Sequence, residues 1–134
     1  MTPEASVYLT AAEEALSDAR GNLSINIPRQ AARLAYYAQF HAAQAVIFER
    51  TGKIAKTHKG VGKQFHRLAA AEPTLAQGFA ASLSSAYRYK EIADYETGAD
   101  AVVAPGEALA AIATAERFVA VVRQVLAQSS SPAS

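Results

Sequence analysis

Cysteine and tryptophan are absent from the 134 residues, and there is a single methionine. Without cysteine the chain has no disulfide staple, no zinc–thiolate centre and no thiol nucleophile. Glycine and proline are sparse, seven and five residues, which leaves no room for an interdomain linker, and no internal repeat is present. One domain follows, of a size that buries a core unaided. Neither sign of charge dominates: thirteen Lys and Arg against twelve Asp and Glu leave a net +1, so bulk charge neither demands nor forbids a nucleic-acid partner. No apolar stretch approaches the ~18–20 residues of a membrane span. The N-terminus, with Glu4 and no basic segment, does not read as a secretory signal. Together these absences predict a cytoplasmic protein with no membrane association.

Alanine is what the chain has in quantity: 32 residues, against nine Leu, nine Val and six Ile. Alanine loses no side-chain entropy in a helix, whereas β-branched residues suit sheets, so the composition favours an all-α fold. Spacing predicts an up-and-down bundle of four long helices and one short helix over 1–128, then a disordered small-residue tail at 129–134. The first helix runs from Pro3 to about Arg20, capped by Thr2, with Val7, Tyr8, Ala11, Ala12, Ala15, Leu16 and Ala19 as its apolar stripe and Gly21-Asn22 as its end. The second starts with Asn26 as cap and Pro28 in its first turn, and closes at Gly52. Between Ala31 and Phe48 its only charge is Arg33. A helix apolar on most sides must be covered on most sides, which places it at the centre of the bundle or against a second copy. Thr57 caps a short third helix that Pro73 stops, with Gly60 and Gly62 weakening its first turn. The fourth spans about Thr74 to Tyr95, with Leu75, Phe79, Leu83, Ala86 and Ile92 inward. After a loop at 96–104 the last helix runs from about Pro105 to Gln128, with Leu109, Ile112, Phe118, Val121, Val122 and Val125 inward.

The balanced net charge hides an asymmetry. Arg50, Lys53, Lys56, Lys59, Lys63 and Arg67 fall within 18 residues that contain no acid. Such a run holds phosphates by charge alone, and the helix start at Thr57 adds free N–H donors; it reads equally as a solvated helix face. Downstream, Glu91, Asp94, Glu96 and Asp100 form an acidic run that can meet the basic one within the fold or across a dimer. The histidines, His41, His58 and His66, lack the spacing of a metal site, so no metal or other cofactor is expected. Arg33, Tyr37 and His41 share one helix face, a polar row that is either a closed hydrogen-bond network or the support of a site. His58 lies at the start of the third helix, where its ring can meet a phosphate or simply belong to a loop. There is no nucleophile elbow and no Walker loop, since Gly60-Val61-Gly62 has no flanking strand. Arg88 and Tyr95, seven residues and about 700° apart on a helix, are nearly eclipsed, with Glu91 beside them. An arginine and a tyrosine hydroxyl on one face suit a phosphodiester oxygen; the alternative is an Arg88–Glu91 surface pair with Tyr95 packing at the helix end.

Three blocks, Arg33 to Ala43, Lys56 to Val61 and Arg88 to Tyr95, taken with the helix order, resemble the HEPN superfamily and specifically its small stand-alone prokaryotic members. The resemblance implies a dimerising helical bundle, often one half of a toxin–antitoxin pair with a minimal nucleotidyltransferase. Active members are metal-independent endoribonucleases whose site, in the dimer cleft, uses an Arg and, after four to six intervening residues, a His from each subunit. There the 2′-hydroxyl attacks the adjacent phosphate, Arg stabilises the developing charge and His moves protons. Arg88 matches the arginine, but Ala93, Asp94 and Tyr95 stand where the histidine belongs. Asp94 is no simple replacement for an imidazole.

The resemblance therefore implies catalytic residues Arg88, Asp94 and Tyr95, with RNA or nucleotide held by Lys53, Lys56, His58, Lys59 and Lys63 and the row Arg33, Tyr37, His41 in support. Either His41 or His58 supplies the imidazole, or the protein is an inactive nucleotide-binding subunit serving a nucleotidyltransferase. A tyrosine after the motif is modified with AMP in some relatives, and Tyr95 is the corresponding position. The expected partners are a second copy through helices two and four, RNA or nucleotide, and the nucleotidyltransferase antitoxin. A ligand-free interaction module, with the charged runs as dimer contacts, is the third reading.

Overall fold

A computed structural model describes residues 1–129 and contains five α-helices: α1 (Pro3–Ser24), α2 (Pro28–Thr51), α3 (His58–Ala71), α4 (Phe79–Tyr95) and α5 (Pro105–Ser129). Short 3₁₀ turns at Pro73–Leu75 and Gly98–Ala101 precede α4 and α5. The all-α bundle expected from composition is what forms, with no strand among the described residues. The tail expected at 129–134 lies outside the described residues from 130 onward, while Ser129 closes α5. Among the described residues no helix is long and apolar enough to cross a membrane.

The hub is α2, which packs against each of the other four helices. Its buried positions, among them Ala31, Ala35, Tyr36, Gln39, Ala42, Val46 and Ile47, cover most of the helix circumference. Alanine at so many of them lets neighbouring helix axes approach closely, and α1 lies along α2 as an antiparallel hairpin sealed by Ala5, Leu9, Ala12, Leu16 and Ala19. At the far end of that hairpin the Thr2 side chain accepts from the Ala5 N–H (3.1 Å), and the Thr2 N–H donates to Glu49 at the end of α2 (2.8 Å). A phenylalanine cluster, Phe118 with Phe65 at 5.1 Å and Phe79 at 5.6 Å between ring centres, ties α3 and the start of α4 to α5.

Several local expectations are corrected. Val7 is exposed, because the buried stripe of α1 runs Ala5–Leu9–Ala12–Leu16 and Val7 points away from it. Leu109 is likewise exposed, one position off the Ala108–Ile112–Ala115 seam of α5. α1 continues past Gly21-Asn22 to Ser24. Asn26 does not cap α2; it occupies the left-handed region (φ 62°) that turns the chain, and Ile27 precedes the helix without a side-chain cap. α4 begins at Phe79 rather than Thr74, since Gly78 (φ 84°) separates it from the 3₁₀ turn.

Thr57 does cap α3, accepting from the Gly60 N–H at 3.0 Å. A Cβ at Gly60 would stand 2.9 Å from the Thr57 hydroxyl oxygen, so this glycine is what allows the cap to close rather than a weakness of the turn.

Candidate functional site

α4 is attached to the bundle by a narrow strip. Only Leu83 and Ala86 of its residues are fully buried, and it barely touches α5. The gap between α4 and α5 is therefore a cleft of about 420 Å³ floored by Ala32, Ala35, Tyr36 and Gln39 of α2 and walled by Ser82, Ser85, Ala86, Arg88 and Tyr89 of α4 and by Glu107, Ala110, Ala111 and Thr114 of α5. On the other flank of α4, toward α3, a second cleft of about 440 Å³ is lined by His58, Lys59, Gly62, Lys63, His66, Ala80, Ala81 and Ser84.

In the α4–α5 cleft Arg88 donates to Glu107 at 3.2 Å, not to Glu91 as one of its sequence readings had it. Its guanidinium also lies 5.1 Å from the centre of the Tyr89 ring. Tyr89 donates to the same carboxylate oxygen at 3.3 Å, and burial, followed by the Glu107 charge, pushes its hydroxyl up. The other oxygen of Glu107 accepts from the Ala104 N–H at 3.4 Å, so the glutamate caps α5 while it neutralises Arg88. The pair is open to water, with the Arg88 side chain 64% exposed. Exposed pairs of this kind contribute roughly 0–1 kcal/mol, so an incoming anion displaces the carboxylate at little cost.

The α3 flank has different chemistry. The Tyr36 ring, buried in α2, sends its hydroxyl to Nδ1 of His58 at 2.9 Å. Burial raises the Tyr36 hydroxyl well above its ordinary range, so it stays protonated and donates. His58 lies flat on Tyr87, ring centres 3.7 Å apart and planes 6° apart. Burial lowers the His58 pKa, opposed by the Glu91 charge, which favours the neutral ring near pH 7. Beyond it Lys53, Lys56, Lys59 and Lys63 are all exposed. None of the four forms an ion pair among the described residues. Within the chain the basic and acidic runs do not pair with each other among the described residues: from the basic run Arg50 pairs with Glu72, and from the acidic run Asp94 pairs with Arg33 and Lys90.

The row Arg33, Tyr37, His41 forms on one side of α2. Arg33 Nε donates to Asp94 at 2.8 Å, its guanidinium covers the Tyr37 ring at 4.9 Å, and the Tyr37 ring stacks toward His41 at 6.1 Å. His41 Nδ1 donates to Gln44 Oε1 at 2.8 Å, while the Gln44 amide donates to the Ala55 carbonyl and fixes the approach to α3. Asp94 is held by Lys90 at 2.9 Å as well, and hydrogen bonds from Lys90 and then Arg33 keep its carboxyl below the usual carboxylate range. Arg29 donates to the carbonyls of Ala93 and Glu96 and so anchors the end of α4 to α2.

The structure therefore sorts the sequence candidates into separate places. Arg88 faces the α4–α5 cleft, whereas Asp94 is engaged on the α2 side and neither His41 nor His58 lines that cleft. Tyr95 is 72% exposed at the last turn of α4, and its ring is 5.2 Å from the Lys90 ammonium rather than beside Arg88. His58, Lys59 and Lys63 share the α3 flank. Gln39, Tyr36, Tyr87, Tyr89 and Glu107 were not singled out by motif or spacing. Gln39 carried the one readable signal, an uncharged polar side chain between Ala38 and Phe40. Among the described residues no group of three or more His, Cys, Asp or Glu is placed to hold a metal.

A family model described as the HEPN domain matches residues 5–125. No curated protein matches the chain.

Proposed function

The chain belongs to the HEPN family, and from that premise we propose that it is a cytoplasmic RNA-binding protein, one half of a toxin–antitoxin pair with a minimal nucleotidyltransferase. It acts as a homodimer through α2 and α4 and cleaves RNA without a metal. The observation that carries the reading is the distribution of cations. Four exposed lysines, Lys53 and Lys56 before α3 and Lys59 and Lys63 on it, lack an acidic partner among the described residues, and Arg88 stands in a cleft beside an exposed ion-pair partner. The lysines draw the strand in by charge, and Arg88 takes one phosphate in place of Glu107.

Cleavage then follows from attack of the 2′-hydroxyl on the adjacent phosphate, with Arg88 stabilising the charge that develops on the phosphoryl oxygens. The imidazole that moves the proton comes from a second copy, because His41 and His58 lie outside the cleft that holds Arg88 of their own chain. Asp94 serves the reaction by holding Arg33 and Lys90 in place. Tyr95, exposed at the end of α4, is the acceptor of AMP from the nucleotidyltransferase. The added phosphate repels RNA approaching the same helix face.

A second reading is favoured by one observation, the lack of any histidine in the Arg88 cleft: a nucleotide-binding subunit that serves the nucleotidyltransferase and cleaves nothing. An RNA-cleavage assay without divalent metal, on wild type and Arg88→Ala with both checked as dimers, separates the two. Cleavage by wild type that is lost in the variant is the expected result. Intact RNA with nucleotide still bound selects the second reading, and failure to bind either ligand refutes both.

A further inference from the structure

Gln39 is 1% exposed, in the middle of α2, and its side chain uses one of its two polar ends within the protein. Its Oε1 accepts from the Ser82 hydroxyl at 2.9 Å, while its NH₂ group has no partner among the described residues and the residue lines the floor of the α4–α5 cleft. No side-chain nitrogen or oxygen sealed from solvent lacks a hydrogen-bond partner among the described residues, so the Gln39 NH₂ opens onto the cleft, where the acceptor of a ligand can reach it. The cleft around it has the size of a small-molecule site, about 420 Å³. Ala32, Ala35, Ala86, Ala110 and Ala111 give its lining methyl groups, which offer no side-chain hydrogen bonds but pack on the face of a ring. At its rim stands Arg88, the one cation that lines it. The donor on the floor, the alanine lining and the rim cation correspond to the base and the phosphate of one nucleotide.

We infer that Gln39 reads the base: the nucleotide whose phosphate sits on Arg88 places its purine or pyrimidine ring between the alanine walls, and the Gln39 NH₂ donates to a ring nitrogen or carbonyl acceptor. Ser82 positions the amide by holding its oxygen. The assignment rests on the phosphate-binding role given to Arg88 above, and adds to it a specificity residue and a ligand pose. It also explains why the cleft interior is uncharged, since a base is neutral and the charge of the nucleotide stays at the rim.

The test is calorimetric titration of wild type, Gln39→Leu, Ser82→Ala and Arg88→Ala with AMP, UMP and ribose 5-phosphate, which has the phosphate and no base. Helix content by circular dichroism confirms the fold of each variant. Gln39→Leu is expected to weaken AMP or UMP about tenfold, the scale of one hydrogen bond in a buried site. It is expected to leave ribose 5-phosphate within twofold of wild type. Ser82→Ala, which keeps the amide but frees it to swing, weakens the nucleotides about threefold and covers the case in which Gln39→Leu does not fold. Arg88→Ala weakens all three ligands. Nucleotide binding that depends on Arg88 but is indifferent to Gln39 and Ser82 overturns the base-reading role alone. No binding of any of the three to wild type overturns the phosphate role of Arg88 with it.

Discussion

The two flanks of α4 are built from the same helix and share one residue of α2, yet they handle charge in opposite ways. Toward α5 the cleft is walled by alanines and its single cation, Arg88, is neutralised by Glu107. Toward α3 the cleft is lined by His58, Lys59, Lys63 and His66, and its lysines have no acidic partner among the described residues. The contrast teaches that a charge count locates the wrong half of the site. The dense basic run attracts a polyanion from a distance, a long-range effect that salt screens. The arginine toward α5 is held by one exposed carboxylate, which costs little to displace, and in the proposed function it takes one phosphate at a fixed place. Tyr36 links the two, with its ring in the floor of the α5-side cleft and its hydroxyl on His58 of the other.

The largest effect is expected where both flanks are broken together. Tyr36→Ala removes a fully buried ring and is expected to cost about 3–5 kcal/mol of stability by denaturant unfolding. Tyr36→Phe keeps the ring and removes only the bond to His58, so about 0.5–1.5 kcal/mol is expected and the α5-side cleft stays intact. Breaking one flank by charge comes next. Lys59→Ala with Lys63→Ala is expected to reduce the slope of log affinity against log salt for single-stranded RNA by about 1.4, at roughly 0.7 per phosphate contact, in a filter-binding series. On the opposite flank, Glu107→Gln is expected to raise affinity for a short RNA several-fold. Glutamine still accepts from the Ala104 N–H and keeps the α5 cap, while Arg88 is released.

The smallest effect is in pH dependence, and the two flanks differ in its window. His58 has a lowered pKa in the fold, chiefly from burial, so the unfolded chain binds its proton first. Stability from the Tyr36–His58–Tyr87 contact is therefore present above about pH 6.5 and lost as pH falls through the lower folded value. Asp94, lowered chiefly by the Lys90 hydrogen bond, contributes above the ordinary carboxylate range, and its share is lost only as pH falls below about 4. Thermal melts at pH 7, 5.5 and 3.5 are expected to show the upper step vanish in His58→Gln and the lower step shrink in Asp94→Asn.

The helices were legible in the sequence because their causes are local. Thr2 and Thr57 cap as their side-chain chemistry dictates, Gly52 ends α2 in the left-handed region, and the nearly uncharged run from Ala31 to Phe48 does occupy the centre. The start of α4 was less legible, since a proline at 73 and a glycine at 78 allow either one helix or a 3₁₀ turn followed by a break, and tertiary packing of Leu75 and Phe79 decides. Arg88 was legible as a motif position, but its partner was not: Glu107 is brought to it by the loop at 96–104, and nothing in the spacing of α4 specifies that return. Arg33 and Asp94 were each singled out, in different groups, and only the packing of α2 on α4 joins them. The place of Gln39 in the cleft floor depends on three helices meeting, so its one sequence signal, a polar side chain between Ala38 and Phe40, specifies no chemistry by itself.

The most direct test of the account is a titration of the ¹⁵N-labelled protein with a short single-stranded RNA, followed by backbone and arginine side-chain chemical shifts. The account predicts shifts on both flanks of α4, at Lys59 and Lys63 on one and at Ser82, Ser85 and the Arg88 guanidinium on the other, with α1 unmoved. Shifts confined to α1 or to the exposed side of α5, or none at low salt, would contradict it.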